Sequence, residues 1–163
     1  MKTAATEFFA PPDIVTTLGA FDLDPCTQSL RPFDTAARHV CADRGADGLS
    51  QAWAGRVWLF PPYGRNIGRW LEKLAAHGNG VALAFARTDA RWAQDMFARA
   101  DAVNFLAGRV GFLRAAGAPV RDAGCGSMLL ACGSRNIVAI RRFPGMVFTR
   151  NDPAHHALLS RGA

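Results

Sequence analysis

Long apolar runs are missing from this chain. No stretch approaches the ~18 uncharged apolar residues that a membrane-spanning helix needs, and the longest uncharged apolar-rich segment, 123–134, is interrupted by Gly124, Gly126, Ser127 and Gly133. The expectation is a chain with no membrane partner. Nor does a signal-peptide-like apolar block follow residues 1–7, so a reducing cytoplasmic setting is expected. Cys26, Cys41, Cys125 and Cys132 contain no Cys-x-x-Cys pair, which favours free thiols over a disulfide or zinc framework. His39, His77, His155 and His156 lack metal-ligand spacing with acidic or thiol partners, so no metal site is expected. Charged residues are only 20% of the chain, and repeats and low-complexity tracts are absent; disorder, collagen-like repeats and coiled coils are disfavoured.

What remains is a folded, loop-rich protein. Half of the 163 residues are apolar, and Gly and Pro number 16 and 9, consistent with one domain and a sizeable core. The reading is a single domain over 1–150 followed by a C-terminal tail, 151–163. Charge is unevenly distributed: residues 1–52 carry four basic and seven acidic side chains, net −3, and residues 53–163 carry fifteen and six, net +9. Lysine is scarce, since 17 of the 19 basic residues are arginine. Arginine's planar fork engages phosphate bidentately and stacks on bases, so nucleic acid is the natural polyanionic partner.

Hydrophobic periodicity orders the elements. Asp13 after Pro11-Pro12 is read as the cap of a short helix through Leu18. Ala20–Asp24 alternates like a strand and stops at Pro25; Arg56–Phe60 is a short buried strand ended by Pro61-Pro62. Thr27–Val40 is read as a helical or irregular crossover. Ile67, Trp70, Leu71 and Leu74 form one helical face ending near His77-Gly78. Val81–Ala86 reads as a strand, and Thr88-Asp89 opens a helix carrying Trp92, Met96, Phe97 and Ala100. Ala102–Leu106, Ser127–Cys132 and 136–142 complete the expected strands. Strands alternating with helices predict an α/β domain with a mainly parallel, three-layer sheet, whose ligands bind at the carboxyl ends of the strands. The four tryptophans, on apolar faces, are read as core.

Two such strand ends carry chemistry: Phe21-Asp22-Leu23-Asp24-Pro25-Cys26 and Trp58-Leu59-Phe60-Pro61-Pro62-Tyr63-Gly64. Consecutive prolines stiffen the backbone and remove two N–H donors while leaving carbonyl acceptors, and an aromatic ring follows on the same turn. That combination suits a flat base held by stacking and by acceptors. The tetrad Phe60-Pro61-Pro62-Tyr63 resembles the Asn/Asp-Pro-Pro-Tyr motif of amino-methyltransferases that use S-adenosylmethionine. Together with Phe8-Phe9-Ala10-Pro11-Pro12, Asp47-Gly48-Leu49, Trp53, Ile67-Gly68-Arg69-Trp70, Ala86-Arg87-Thr88-Asp89, Trp92, Gly108–Phe112 and Ser127-Met128-Leu129, the chain resembles the phage-type DNA N6-adenine methyltransferase family from Phe8 to about Leu130.

The resemblance implies a Rossmann-like three-layer methyltransferase domain, S-adenosylmethionine as cofactor, and methyl transfer to the N6 amine of an adenine flipped out of double-stranded DNA. It implies catalytic roles for Phe60, Pro61, Pro62 and Tyr63, and a cofactor site at Phe8, Pro11, Asp22, Asp24, Pro25, Cys26 and Asp47. Arg65, Arg69, Arg87, Arg91, Arg109 and Arg114 follow or flank the loops of the expected site and are the expected phosphate contacts. The chain's small size favours a homodimer that divides target recognition from catalysis. Two departures stand out. Phe60 occupies the position of the motif's Asn or Asp, and Cys26-Thr27-Gln28-Ser29 follows Asp24-Pro25 where a Gly-x-Gly turn is absent. Because of Phe60, a catalytically inactive DNA- or protein-binding module is the alternative reading, and an enzyme with a different amine acceptor is a third.

Overall fold

The computed structural model describes residues 8–120 and 124–150. The expected 151–163 tail lies outside them. The chain is an α/β protein whose elements run α1 (Pro12–Leu18), β1 (Leu23–Thr27), β2 (Arg38–Cys41), a 3-10 turn (Ala42–Arg44), β3 (Val57–Leu59), α2 (Ile67–His77), β4 (Gly80–Phe85), α3 (Arg91–Phe97), β5 (Ala102–Leu106), β6 (Ser127–Cys132), α4 (Ser134–Ile140) and β7 (Gly145–Thr149). The strands form one sheet of order β2-β1-β3-β4-β6-β5-β7.

Side chains alternate faithfully across this sheet. Val57, Leu59, Ala82, Ala84, Met128 and Leu130 bury themselves with α2 and α3, whereas Trp58, Val81, Leu83, Leu129 and Ala131 join α1 and α4 in a second cluster. Two-residue periodicity sends successive side chains to opposite faces, so both faces of β3, β4 and β6 are apolar. That explains their continuous apolar runs.

The sheet is mixed, and the expectation of a mainly parallel sheet is corrected. β2-β1, β1-β3 and β3-β4 are parallel, but β4-β6, β6-β5 and β5-β7 are antiparallel. A parallel neighbour needs a crossover of a dozen or more residues, usually a helix. The segment after β5 has no helical period and is broken by Gly108, Gly111, Gly117 and Gly124, all but Gly111 with positive φ. The chain therefore returns antiparallel as β6, slotting between β4 and β5.

Several local readings also change. The helix expected to open at Thr88-Asp89 starts at Arg91. The segment read as a last strand is α4: Asn136, Ala139 and Ile140 are buried at helical spacing while Val138 is 62% exposed. The β-branched content of Ile-Val-Ala-Ile disguised this, because its first core-facing residue is polar. The strand expected to stop at Pro25 continues to Thr27 through a register irregularity between Asp24 and Thr27, the kind of position where a strand tolerates proline's missing N–H. Asp13 lies in the first turn of α1 and makes no cap; Pro11 holds that position and Pro12 begins the helix. α2 appears where its periodicity predicts, closed by Gly78 at φ 75°.

Arg56 ties these layers together. It is 3% exposed and donates through Nε to Asn136 Oδ1 at 2.6 Å, through one Nη to Ala20 O at 2.9 Å and through the other to Leu18 O at 3.0 Å. Its guanidinium lies 4.1 Å from the Phe21 ring centroid. Burial is the main cause lowering its pKa to about 10, so it is charged at neutral pH, with no carboxylate in ion-pair contact among the described residues. Among them, too, no helix is long and apolar enough to cross a membrane.

Candidate functional site

After β1 the chain moves to β2 on one side, then returns to β3 on the other. The carboxyl ends of β1 and β3 therefore meet where the strand order reverses, which is the favoured ligand position in an open α/β sheet. This brings Cys26 and Phe60, 34 positions apart in sequence, into contact: the Cys26 thiol donates to the Phe60 carbonyl at 3.3 Å. Phe8, Phe9 and Ala10 lie across the same cleft with Asp24, Thr27 and Thr35. The cleft contains about 20 Å3 of free space, roughly one water. A nucleoside-sized ligand needs more room than this cleft holds, so its walls must part to admit one.

Asp24 is the chemically unusual group here. It is 3% exposed, and its carboxylate accepts from the Thr35 hydroxyl at 2.5 Å and the Cys26 N–H at 3.2 Å. Burial pushes its pKa up from 3.8 to about 6, against the opposing effect of the Thr35 and Cys26 bonds and of Arg31. Burial also pushes the Cys26 thiol well up, with Asp24 adding to it, so Cys26 is a protonated donor and not a nucleophile. A charged carboxylate held in a dry strand end is the pattern of a binding group retained at the expense of stability.

That expense has a measurable form. Between about pH 4 and 6 the native chain holds a proton on Asp24 that the unfolded chain has lost, so stability falls as pH rises through this window, by up to about 3 kcal/mol. Asp24→Asn removes this contribution. Urea unfolding at pH 4 and pH 7 is expected to show the variant gaining on the parent as pH rises; parallel behaviour of the two would refute a raised Asp24.

On β3's side, the Phe60-Pro61-Pro62-Tyr63 turn leads into α2. Phe60 is 7% exposed and stacks on Phe112 with centroids 5.6 Å apart, with Tyr63 edge-on at 6.2 Å. Tyr63 stacks on Phe85 at 4.2 Å, and its hydroxyl accepts the Phe85 N–H at 2.9 Å. Burial and the resulting desolvation push its phenol pKa up, so the ring is neutral and fixed in orientation. Neither Pro61 nor Pro62 has a hydrogen-bonded carbonyl among the described residues. Both remain available acceptors, whereas the Phe60 carbonyl is already used.

The loops after β3, β4 and β5 leave the same edge, because β5 lies antiparallel to β6, itself antiparallel to β4. This gathers some predicted arginines. Arg65, Arg69 and Arg91 line one groove between α2 and α3 of about 450 Å3, together with Arg99, Trp92 and Glu72. Arg114 lies 6.0 Å from the Phe8 ring at the mouth of the cleft. Arg87 and Arg109 are exposed on neighbouring loops and line neither space.

The predicted cofactor residues divide likewise. Phe8, Asp24 and Cys26 line the cleft; Pro25 is buried within β1, and Pro11 precedes α1 beside the cleft-lining Ala10. Asp47 is exposed and accepts from the Leu49 N–H at 2.9 Å. Its loop nevertheless packs tightly on β1: a Cβ on Gly48 would meet the Pro25 carbonyl oxygen at 1.8 Å. Asp22 is elsewhere. It stands at the amino end of β1, and its carboxylate accepts the Arg56 N–H at 2.6 Å.

Thr35 belongs to the site but escaped sequence reasoning, since it comes from a segment without periodicity, and Phe112, read only as part of the Gly108–Phe112 segment, joins it by stacking on Phe60. Trp92, read as core, is partly exposed in the groove wall; Trp58 and Trp70 are buried as expected. His39 is structural: its Nε2 accepts from the Thr35 and Ala36 N–H groups at 3.2 and 3.3 Å, and burial lowers its pKa. All four cysteines are free thiols, and no metal-holding cluster of His, Cys, Asp or Glu occurs among the described residues. No protein-family model matches the chain, and neither a curated protein nor a solved structure matches it.

Proposed function

We propose that this chain is an S-adenosylmethionine-dependent methyltransferase of Rossmann-like architecture, acting on the N6 amine of an adenine extruded from double-stranded DNA. One observation carries the reading: the switch point of the sheet joins the Asp24 strand end to the Pro61-Pro62-Tyr63 turn, as a cofactor site beside a base site requires. The donor set fits the cofactor in chemistry. Asp24 offers a carboxylate to hydroxyl or ammonium groups, and Phe8 and Phe60 offer aromatic walls; in space, the fit requires the cleft to widen. S-adenosylmethionine, when bound, supplies an electrophilic methyl group.

The chain's own residues then position the acceptor. Tyr63, braced by Phe85, presents an aromatic surface for the base, with a stacking contribution of about 1–3 kcal/mol. The Pro61 carbonyl accepts from the amine and draws its nitrogen toward a nucleophilic geometry. No side chain at position 60 adds a second acceptor. The arginines of the α2–α3 groove and Arg114 supply phosphate contacts, and a homodimer remains the proposed assembly on DNA.

Phe60 favours a second reading, an inactive DNA- or protein-binding relative, because its side chain is committed to Phe112 and its carbonyl to Cys26. Transfer of radiolabelled methyl from S-adenosylmethionine to unmethylated DNA decides between the two. The enzyme reading expects label on adenine and a loss of about 5- to 150-fold in Tyr63→Ala, the equivalent of the stacking contribution. Absence of label with the parent, accompanied by retained DNA binding, would establish the inactive module.

A further inference from the structure

Far roomier than the cleft at the switch point is the groove between α2 and α3, about 450 against about 20 Å3, which begins at Gly64 and Arg65, directly after Tyr63. We propose that this groove holds one further unpaired nucleotide of the strand that carries the extruded base, its immediate neighbour, with its phosphates on Arg65 and Arg69 and its base against Trp92. The proposal deepens the DNA reading given above and rests on it.

Charge, space and position agree. Of the four groove arginines, Arg99 is held by Glu72 at 2.7 Å and Arg91 lies 4.0 Å from Asp95. The side chains of Arg65 and Arg69 have no ion-pair or hydrogen-bond partner among the described residues. Two unneutralised guanidiniums on one wall suit successive phosphates of a single strand. The opposite wall offers an indole, and aromatic stacking is the sequence-tolerant way to hold an unpaired base. The volume, about 450 Å3, is within the range of small-ligand sites.

Gly68 adds an independent indication. A glycine within a helix costs ~1 kcal/mol relative to alanine. Here the backbone does not require one, because a Cβ would sit 3.5 Å from the Trp92 Cβ, an ordinary contact. What glycine preserves is open space in the groove. The shared turn sets the position: a base stacked on Tyr63 leaves its sugar-phosphate chain beside Arg65.

The test uses an eight-nucleotide thymidine oligomer, the full chain without cofactor, and tryptophan fluorescence with anisotropy. The oligomer is expected to quench fluorescence, and Trp92→Leu to remove that part of the quench. Arg65→Gln with Arg69→Gln is expected to weaken binding at least 10-fold and to lower the log–log salt slope by about 1.4, two single-strand phosphate contacts being lost. Gly68→Leu, which keeps every charge but fills the groove, is expected to weaken binding as well. Arg38→Gln, on β2, is the control and is expected to bind like the parent.

Unchanged affinity and salt slope in the double arginine variant would overturn the assignment, as would an unquenched Trp92. Equal losses in Arg38→Gln would overturn it too, since the effect would then be diffuse charge. These outcomes are separable from those of the methyl-transfer assay. Oligomer binding lost in the groove variants without any methyl transfer leaves the groove standing and the enzyme reading fallen; methyl transfer with unaltered oligomer binding by those variants does the reverse.

Discussion

Replacing Phe60 by asparagine is expected to raise methyl transfer to adenine by about 10²–10³-fold, while lowering the stability of the chain. The gain follows from the missing acceptor: a single well-placed hydrogen-bonding group in a dry site is worth roughly that factor in rate. The loss follows from packing. The Phe60 ring stacks on Phe112 and meets Tyr63 edge-on, and truncating a buried phenylalanine costs about 3–5 kcal/mol, reduced here because the ring also lines a cleft. The two effects are read separately, by radiolabel transfer below the unfolding transition and by urea denaturation. Transfer that stays flat or falls while the variant is still folded would show that position 60 does not limit the chemistry. A purely structural Phe60 predicts that outcome, so the experiment distinguishes a site residue from a core residue.

Arg56→Leu is expected to destabilise the chain by about 3–5 kcal/mol, the cost of the acceptors it leaves unmatched. Leucine keeps much of the apolar stem but abandons three acceptors, Leu18 O and Asn136 Oδ1 in buried surroundings and Ala20 O in a half-buried one. Each buried acceptor left unmatched costs ~1–3 kcal/mol. The Asn136 amide has its own donors engaged, with Asn79 Oδ1 at 3.1 Å and Cys132 O at 2.7 Å, so it is not free to rotate and recover. Chemical denaturation measures the effect, and the paired substitution Arg56→Leu with Asn136→Leu tests its cause. If unmatched polar groups are responsible, the pair loses less than the sum of the single variants. Strict additivity would assign the loss to packing alone.

The position of Arg56 illustrates what periodicity conceals. From the sequence it is simply the first residue of a buried strand, indistinguishable from any other arginine of a basic chain. Only folding brings the end of α1, the turn before β1 and the start of α4 around it. Asn136 is concealed for the same reason. A polar residue at the first core position of α4 breaks the apolar pattern that marks a helix, and its burial becomes reasonable only when Arg56 is there to bond.

Elements whose side chains obey one period were legible. The α2 face at Ile67, Trp70, Leu71 and Leu74 and the continuous runs of β3, β4 and β6 can be read directly, because burial on one helix face or on both sheet faces writes itself into residue order. The end of β3 before Pro61-Pro62 was legible as well, since proline acts locally, whereas Pro25 lies inside β1 and did not end it. Strand direction was not. The choice between a parallel and an antiparallel β6 turned on the aperiodic, glycine-broken segment that follows β5, and hydrophobicity is nearly blind to strand polarity.

The candidate site divides along the same line. Residue order alone determined that a stiff Pro-Pro-Tyr turn follows a buried strand, that an aspartate precedes proline at another strand end, and that the arginines lie C-terminal. It did so because backbone restriction and side-chain charge are properties of single residues and their immediate neighbours. Tertiary structure alone decided that Asp24 is dry and faces the Phe60 turn, that Asp22 supports Arg56 at the far end of the strand, and that Arg65, Arg69 and Trp92 share a groove. Burial, desolvation and the meeting of distant strand ends depend on the order of strands in the sheet, and that order is set by long-range packing that no local pattern encodes.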